Sequence, residues 1–564
     1  MSKPVYVLGT GLSHDGSSCL LKDGKIIVAI EKERLSRKKH DGGNDLLTVQ
    51  YCLDAAGITP GDLTLVVQAA NFEKDTIGTD RHMGPRSFAG YNVRVVSISH
   101  HIAHAYSSVA TSPFHSCAAL VIDGAGSPYV QCDDITGSFI PKDVNPVAGY
   151  YCEKDSFYRF DGNEVQPLYK DFARIQAHAG RPLKLPTIEH SIGGVYSAAS
   201  HYCFANIDDA GKLMGLAPYG KDTGKPPIYR FHDGRYFVDY DNLHNIFTTP
   251  RTSYPQFKQQ FQHYADIAWW VQQETTRVVQ YLVQQRMQLL PGRPMALSGG
   301  VALNAVANAS LLQNKMVDKL YIQPAAGDNG LALGCAYYGW MKLLGREKPQ
   351  QQKSIFFGRS YSNDEVINAI ARHHDAGGAK LGAVKEENIA AAAAASLASG
   401  KIIGWYQGGA EFGPRALGHR SILADPRLPD IQLRINRDVK NREDFRPFAP
   451  SVPLGHASRY FMYNYESPYM ILVDRLQDKW KEALRGIVHV DGTCRVQTVT
   501  ADWNNTYYTL LMEWEKLSGI SVLLNTSFNV RGMPMVETPA QAIEMYCNSA
   551  LDELYINDYR ILVV

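Results

Sequence analysis

A chain of 564 residues is longer than one hydrophobic core usually serves, so two or three domains are expected. Lys and Arg total 57 against 56 Asp and Glu, a formal net charge of +1, which excludes the basic excess of a general nucleic-acid or membrane-surface binder. Charged residues at 20% and hydrophobic residues at 45% describe a soluble globular protein. No stretch approaches the ~20 apolar residues that span a bilayer, and no apolar run after the N-terminus predicts a signal peptide. The nine cysteines are scattered without a C-x-x-C pair, which predicts reduced, mostly buried thiols in a cytoplasmic protein.

In chain order, the run VYVLG, ending at Gly9 with Gly11 beyond, predicts a strand entering a loop. SSCLLKDGKIIVAIEKER predicts a hairpin folded at Asp23–Gly24, since that pair suits a two-residue turn. CAALVIDGAGS at 117–127 repeats the theme of a buried strand running into an acidic turn, and Asp-Gly pairs at 161–162 and 233–234 predict further hairpins. Ile267, Trp270, Val271, Val278, Tyr281 and Leu282 keep to one helical face through DIAWWVQQETTRVVQYLVQQ. With the Gly-Gly turn of LSGG at 297–300, these elements match a duplicated nucleotide-binding α/β plan, that of actin, sugar kinases and heat-shock ATPases. The polar, Gln-rich segment 345–359 predicts a linker between domains at 1–350 and 351–564. Beyond it come a helix over 364–373, an Ala-rich helix closed by Gly400, and the strands IIGWYQ and ISVLLN.

SISHHIAHAYSS places His100 and His104 four apart, on one face if the segment is helical. That pair is half of a transition-metal site or an ordinary structural feature. Asp123 and Asp328, each in a Gly-containing turn after a strand-like run, are the obvious further ligands. His14, in the first loop, is either a general base toward a hydroxyl or a hydrogen-bonded loop residue. SGGVALN at 298–304 offers backbone N–H groups to a ligand, with SIGG at 191–194 and GKLMGLAPYG at 211–220 as further contributors.

In the C-terminal part, Arg415, Arg420, Arg427, Lys440, Arg442 and Arg446 lie among Phe412, Leu417, Ile422, Leu423, Phe445 and Phe448. Cations set among residues that want burial need anionic partners, and arginine grips phosphate in a bidentate fork. The block therefore predicts a walled pocket for a small phosphate compound. Lys440-x-Arg442 and Ser527-x-Asn529, read as strand pairs, would each point to one side.

Together HHIAHA, VIDGAG, GKLMGLAPYG, LSGGVALN, EFGPRALGHRSILADPR, NREDFRPFAPS and LLNTSFN resemble the O-carbamoyltransferases of the nodulation-protein-U and cephem-carbamoylation family, to which tobramycin-type aminoglycoside carbamoyltransferases belong. The resemblance covers nearly the whole chain. It implies an α/β protein with an N-terminal actin-like (ASKHA) domain, similar to threonylcarbamoyl-transferring tRNA-modification proteins, and a C-terminal YrdC-like domain. It implies that carbamoyl phosphate and ATP, with Mg(II), bind among Arg415, Lys440, Arg442, Arg446, Asn525, Ser527 and Asn529, giving carbamoyladenylate and pyrophosphate. It further implies Fe(II) or another divalent metal at His100, His104, Asp123 and Asp328, with the adenylate at Gly193, Lys212, Gly299, Gly300 and Asn304. His14, Arg415, Lys440 and Arg446 take the catalytic roles.

The implied partner is a small hydroxylated acceptor, with neither nucleic acid nor membrane; a homodimer would be ordinary. The acceptor itself is unspecified, and the segments around 70–90 and 128–190 are expected to shape its pocket. Arg34, Arg37, Lys38 and Lys39 in ERLSRKKHDG receive no role beyond a solvated basic turn. Three rivals stand beside this reading, the blandest being a structural scaffold with an inactive fold. An actin-fold kinase would yield ADP, and a threonylcarbamoyl-tRNA-modifying protein would bind tRNA with a steep salt dependence.

Overall fold

The computed structural model describes residues 3–69, 91–144, 151–174, 191–247, 250–251 and 253–564. Of the segments expected to shape an acceptor pocket, 70–90, 145–150 and 175–190 lie outside the described residues. The chain forms two compact units, Met1–Lys32 with His40–Gln352, and Glu33–Lys39 with Lys353–Val564. The main break falls inside the Gln-rich segment, and a short N-terminal stretch belongs to the second unit.

The first unit is built on two five-stranded sheets. Strands β1 (Tyr6–Gly11), β2 (Ser17–Lys22), β3 (Lys25–Glu31), β4 (Leu65–Ala69) and β5 (Arg94–Ile98) lie in the order β3-β2-β1-β4-β5. A second meander, β6 (Ser116–Ile122), β7 (Tyr151–Asp161) and β8 (Glu164–Arg174), is followed by a small separate hairpin, β9 (Tyr229–His232) and β10 (Arg235–Val238). Strands β11 (Met295–Ser298) and β12 (Leu320–Ile322) then complete a sheet ordered β12-β11-β6-β7-β8. In both sheets the first strand carries an antiparallel meander on one side and two parallel strands on the other. The duplication read from the repeated strand-and-acidic-turn theme is thus present in the topology.

Local chemistry explains the turns. Asp23 and Gly24 take φ of 50° and 81°, and Asp233 and Gly234 take 47° and 73°, the double positive φ of a tight hairpin. At the third site Asp161 stays in the ladder opposite Glu164, so Gly162 and Asn163 make the turn. The helix Phe261–Met287 buries Ile267, Trp270, Val271, Val278 and Leu282 along the expected face. The helix Leu331–Tyr338 approaches His100–Thr111 so closely that a Cβ on Gly334 would stand 1.8 Å from the Ala103 carbonyl oxygen. That approach carries Asp328, just before the helix, toward the two histidines.

The second unit holds β13 (Leu381–Lys385), β14 (Ile403–Tyr406), β15 (Arg420–Ala424), β16 (Ala449–Pro453), a two-stranded ribbon β17 (Val473–Arg475) and β18 (Thr493–Arg495), and β19 (Gln497–Val499). With β20 (Leu523–Ser527), β21 (Glu553–Ile556) and β22 (Tyr559–Val563), all of these except the ribbon make a mixed eight-stranded sheet, ordered β13-β22-β21-β14-β15-β20-β16-β19. Helices Asn363–Asp375, Ile389–Ala398, Asn505–Ser518 and Pro539–Cys547 pack a core around Trp405, Leu423, Tyr460, Trp514 and Leu524. Among the described residues no helix is long and apolar enough to cross a membrane. All nine cysteines are free thiols, and seven are buried.

Candidate functional sites

The residues singled out from the sequence gather in two polar constellations, one in each unit. In the first, His100 and His104 fall one turn apart on the helix His100–Thr111, as their spacing predicts. Asp123 follows β6, Asp328 opens the turn before Leu331–Tyr338, and all four side chains are buried. His100 Nε2 lies 3.0 Å from Asp123 Oδ2 and 3.3 Å from Asp328 Oδ1, and 3.1 Å from His104 Nε2. His104 Nε2 is 3.8 Å from the same two carboxylates.

A single proton shared between the two facing imidazole nitrogens leaves the carboxylate oxygens of Asp123 and Asp328 beside them without a donor. The four ligand atoms lie within 4.8 Å of one another, the spacing of donors around a single cation. Two imidazoles and two carboxylates suit a divalent first-row metal such as iron, so the residues present fit the metal that the motifs imply. The His100 and His104 Nδ1 atoms are buried without a hydrogen-bond partner among the described residues.

His14 follows β1 as Asp123 follows β6. Its Nε2 is 3.5 Å from Asp328 Oδ2 and its Nδ1 is 3.3 Å from Asp15, while more than half of the side chain still meets solvent. Enclosure lowers its pKa, but the Asp328 and Asp15 carboxylates more than reverse that, raising it to about 10. Ser13 Oγ also donates to Asp328, a contact for which the sequence held no signal.

The Gly-Gly turn stands against this cluster. Gly300 N donates to Asp123 Oδ1 at 2.9 Å. Gly193 faces Gly124, where a Cβ would stand 2.7 Å from the Gly124 Cα. Asn304 and Lys212 are engaged elsewhere. Asn304 caps the helix Ala305–Gln313 through Ala307 N and exchanges amide hydrogen bonds with Gln272 at 3.1 and 3.0 Å. Lys212 reaches Asp209 at 2.7 Å. A third acidic group, Cys132, Asp134 and Glu153, already holds a cation, the Lys170 ammonium at 2.7 and 2.6 Å from its two carboxylates.

The second constellation is cationic. Lys440 is buried and its Nζ donates to Asn529 O at 2.9 Å, to Asn529 Oδ1 at 3.0 Å and to Ser527. Ser527 Oγ donates to Asn529 Oδ1 at 2.6 Å, so these three side chains form one cluster. Lys440 is not on a strand. It follows the wide, π-type helical turn Ile435–Val439, and Asn441 has a positive φ of 50°, which sets the Lys440–Arg442 pair by a turn instead. Arg442 Nε donates to Asn436 at 2.6 Å with its guanidinium 4.7 Å from the Phe448 ring. Asn525 sits behind the pocket, its amide donating to Gln497, Ser451 and the Ala416 carbonyl next to Arg415.

Arg415, Arg442 and Arg446 lie close together, and so does Arg495 at the end of β18, which sequence reading missed. Burial and then the neighbouring arginines pull Arg415 down to about 10 and hold Arg442 and Arg495 well below the usual range. Burial, then Arg442 and Arg446, depress Lys440 likewise. Glu443, 3.7 Å from Arg446, is the acid within this group. Arg415 Nε, Arg442 Nη2 and Arg495 Nε are buried without hydrogen-bond partners among the described residues. Such a cluster suits a polyanion.

Two arginines of the block do not join it. Arg420 lies over the Tyr406 ring at 3.5 Å and donates to the carbonyls of Gln407, Gly408 and Glu537. Arg427 pairs with Asp425 at 2.8 Å. Both are structural, one stitching loops together and the other closing its own turn.

Comparison with known proteins agrees along the whole length. The model described as Carbamoyltransferase N-terminus matches residues 7–80 and 63–337, and that described as Carbamoyltransferase C-terminus matches 394–562. Nodulation protein NolNO of Sinorhizobium fredii is 30% identical over 97% of this chain and 79% of its own. The 3'-hydroxymethylcephem-O-carbamoyltransferase of Streptomyces clavuligerus is 26% identical over 95% of this chain and 94% of its own. Among solved structures, T. kodakarensis HypF is 16% identical with a TM-score of 0.38, over 61% of this chain and 49% of that one.

Proposed function

The chain belongs to the carbamoyltransferase family and is a transferase enzyme, and from that premise we propose that it is an ATP-dependent O-carbamoyltransferase working in two steps. In this reading the second unit, YrdC-like, hydrolyses carbamoyl phosphate with water to carbamate and phosphate, and joins carbamate to the α-phosphate of ATP. The products are carbamoyladenylate and pyrophosphate. The first unit, actin-like, passes the carbamoyl group to an acceptor hydroxyl and releases AMP.

The observation that carries this reading is the cluster of Arg415, Lys440, Arg442, Arg446 and Arg495, in which burial and then neighbouring cations depress Arg415, Lys440, Arg442 and Arg495. Carbamate and a nucleotide phosphate are both anions, and bringing them together costs repulsion that fixed cations remove without reorganising. Lys440, held by Ser527 and Asn529, cannot swing away from the anion it meets. Arg415 and Arg495 keep buried N–H groups for phosphate oxygens.

In the first unit His100, His104, Asp123 and Asp328 would hold the metal, which when bound supplies Lewis-acid polarisation of the adenylate phosphate. With Asp328 committed to the metal and no longer holding the imidazole protonated, His14 would accept the acceptor's hydroxyl proton at Nε2, oriented by Asp15 on the other side of its ring. Gly193, Gly299 and Gly300 pack against the backbone of Gly124 and Ile122 and against Asp123, and the adenylate would lie beside that turn. Acceptors would be small hydroxylated natural products, the class to which the cephem relative's name refers.

The test is product identity. Incubated with carbamoyl phosphate and ATP, the protein should release pyrophosphate only when both are present, and a hydroxylated acceptor should gain one carbamoyl mass. ADP as the product would overturn the reading in favour of a kinase.

A further inference from the structure

The helix His100–Thr111 carries both histidines of the first unit's cluster, yet its first turn is held by residues far along the chain. The early N–H groups of a helix have no partner inside it. Ser99, just before this helix, gives them no side-chain hydrogen bond. Three remote groups serve instead. Asp133 Oδ2 accepts from Ser99 N at 3.0 Å, Ser127 Oγ from His100 N at 2.9 Å, and Glu153 Oε2 from His101 N at 3.2 Å.

Glu153 does more than cap the helix. Its Oε2 also accepts Ser127 N at 2.9 Å, and its backbone pairs with Gly126 and Ser127, so it grips the loop that follows Asp123. Asp123 N itself donates to the carbonyl of the next residue, Lys154, at 3.2 Å. Gly126 permits this grip, because a Cβ there would stand 2.6 Å from Glu153 Oε2. On a regular strand Glu153 and Ser156, three apart, would face opposite sides. The β7–β8 register slips between Glu153 and Asp155, and both side chains meet His101, Ser156 Oγ lying 2.8 Å from its Nδ1. Glu153 Oε1 accepts from Lys170 Nζ at 2.6 Å, and that ammonium also reaches Asp134 at 2.7 Å and the Tyr158 hydroxyl at 3.2 Å. Glu153 and Lys170 are wholly buried, and an ion pair so enclosed is a weak device for stability alone.

We propose that Glu153, held by Lys170, is a positioning residue for the metal centre, setting His100 through the first turn of its helix and Asp123 through the Gly126–Ser127 loop. The proposal rests on the metal reading above and extends it to the residues behind the ligands. Metal-bound histidines are usually aimed by a hydrogen bond at the second ring nitrogen. Among the described residues the Nδ1 atoms of His100 and His104 have none. Their aim therefore falls to the backbone that carries them, and Glu153 fixes that backbone where the helix starts. A carboxylate at this end also complements the helix dipole.

Titrating the metal-free full-length protein with Co(II) against a chromophoric chelator tests this without turnover. Glu153→Ala should weaken Co(II) binding about ten- to a hundredfold, the usual cost of losing an outer contact to a metal site. The visible absorption of the bound ion, which follows coordination geometry, should change with it. The double variant Glu153→Gln with Lys170→Met keeps an acceptor for both N–H groups and removes the two charges together, so it should bind Co(II) nearly as wild type does. Should Glu153→Ala fail to fold, Ser127→Ala puts the same question at His100 N with a small side chain, and it should weaken Co(II) binding several-fold. Wild-type affinity and spectrum in Glu153→Ala, or in Ser127→Ala where that one alone folds, would overturn the proposal. An equal loss in the double variant would reduce Glu153 and Lys170 to a structural ion pair and overturn it too. A wild-type protein that binds no Co(II) would refute the metal reading itself, and this proposal with it.

Discussion

Asp123 serves two masters with its two oxygens: Oδ1 accepts the Gly300 amide at 2.9 Å, and Oδ2 faces His100 Nε2 at 3.0 Å. The glycine turn thereby fixes the rotamer of a carboxylate in the proposed metal site. Outer contacts of this kind are what hold a ligand in its binding geometry.

A change at the turn should thus act on the metal. Gly299 has φ of 90°, and a Cβ there would stand 2.3 Å from the Ile122 carbonyl oxygen. Gly299→Ala must shift the turn and release Asp123. Metal analysis should show at least a tenfold loss of affinity. Transfer from supplied carbamoyladenylate should fall with it, and pyrophosphate release by the second unit should be retained. Full metal content in that variant would show that the turn does not set Asp123.

Arg495 separates cationic catalysis from cationic structure. Its buried Nε has no partner among the described residues, and its neighbours are Arg415, Arg446 and Arg442. Arg495→Ala should slow pyrophosphate release about 10²- to 10³-fold, the usual effect of deleting one fixed donor to developing charge. Its unfolding midpoint should stay near wild type or rise, because a buried like-charge contact is removed. Arg420→Ala should do the opposite, destabilising the protein by about 3 kcal/mol as several buried carbonyls lose their donor. Circular dichroism melts beside the release assay distinguish the two.

What could be read from the sequence was local. Asp23–Gly24, the face of Phe261–Met287 and the one-turn spacing of His100 and His104 each depend on neighbours within a few residues. The duplicated sheets were visible because two strands run into similar acidic turns. Arg495 was not visible, since a single arginine ending a three-residue strand looks like any edge residue, and only folding brings it to Arg415. Lys440 and Arg442 were read as strand neighbours, whereas a positive φ at Asn441 was the deciding feature. The place of Glu33–Lys39 in the second unit escaped for a related reason. Its arginines bond carbonyls of residues about 380 and 500 positions away, and carbonyls carry no side-chain signature.

His14 should be separable from both metal and nucleotide chemistry. It reaches Asp328 at 3.5 Å but is not one of the four buried ligands, and it remains open to solvent where an acceptor would arrive. His14→Asn should keep the metal and form carbamoyladenylate at the wild-type rate. Transfer to the acceptor should fall about 10²- to 10⁴-fold, as for loss of a general base. Unchanged transfer in single-turnover assays with the adenylate would remove His14 from the reaction.

His419 gives the second unit a pH dependence of known sign. Its ring stacks on Phe356 at 3.5 Å and its Nδ1 donates to Gly409 O at 2.7 Å. Burial lowers its pKa to about 4, beyond what nearby Glu411 restores. In the unfolded chain a histidine titrates near 6.5. As pH falls from 6.5 toward 4 the unfolded state takes up a proton that the folded state refuses, so stability drops across that window and is whole above it. Urea midpoints at pH 7.5 and 5.0 should therefore differ more for wild type than for His419→Gln, which cannot take up that proton. Equal differences would mean that His419 is protonated in the folded protein, and the stacked, neutral ring described here would be wrong.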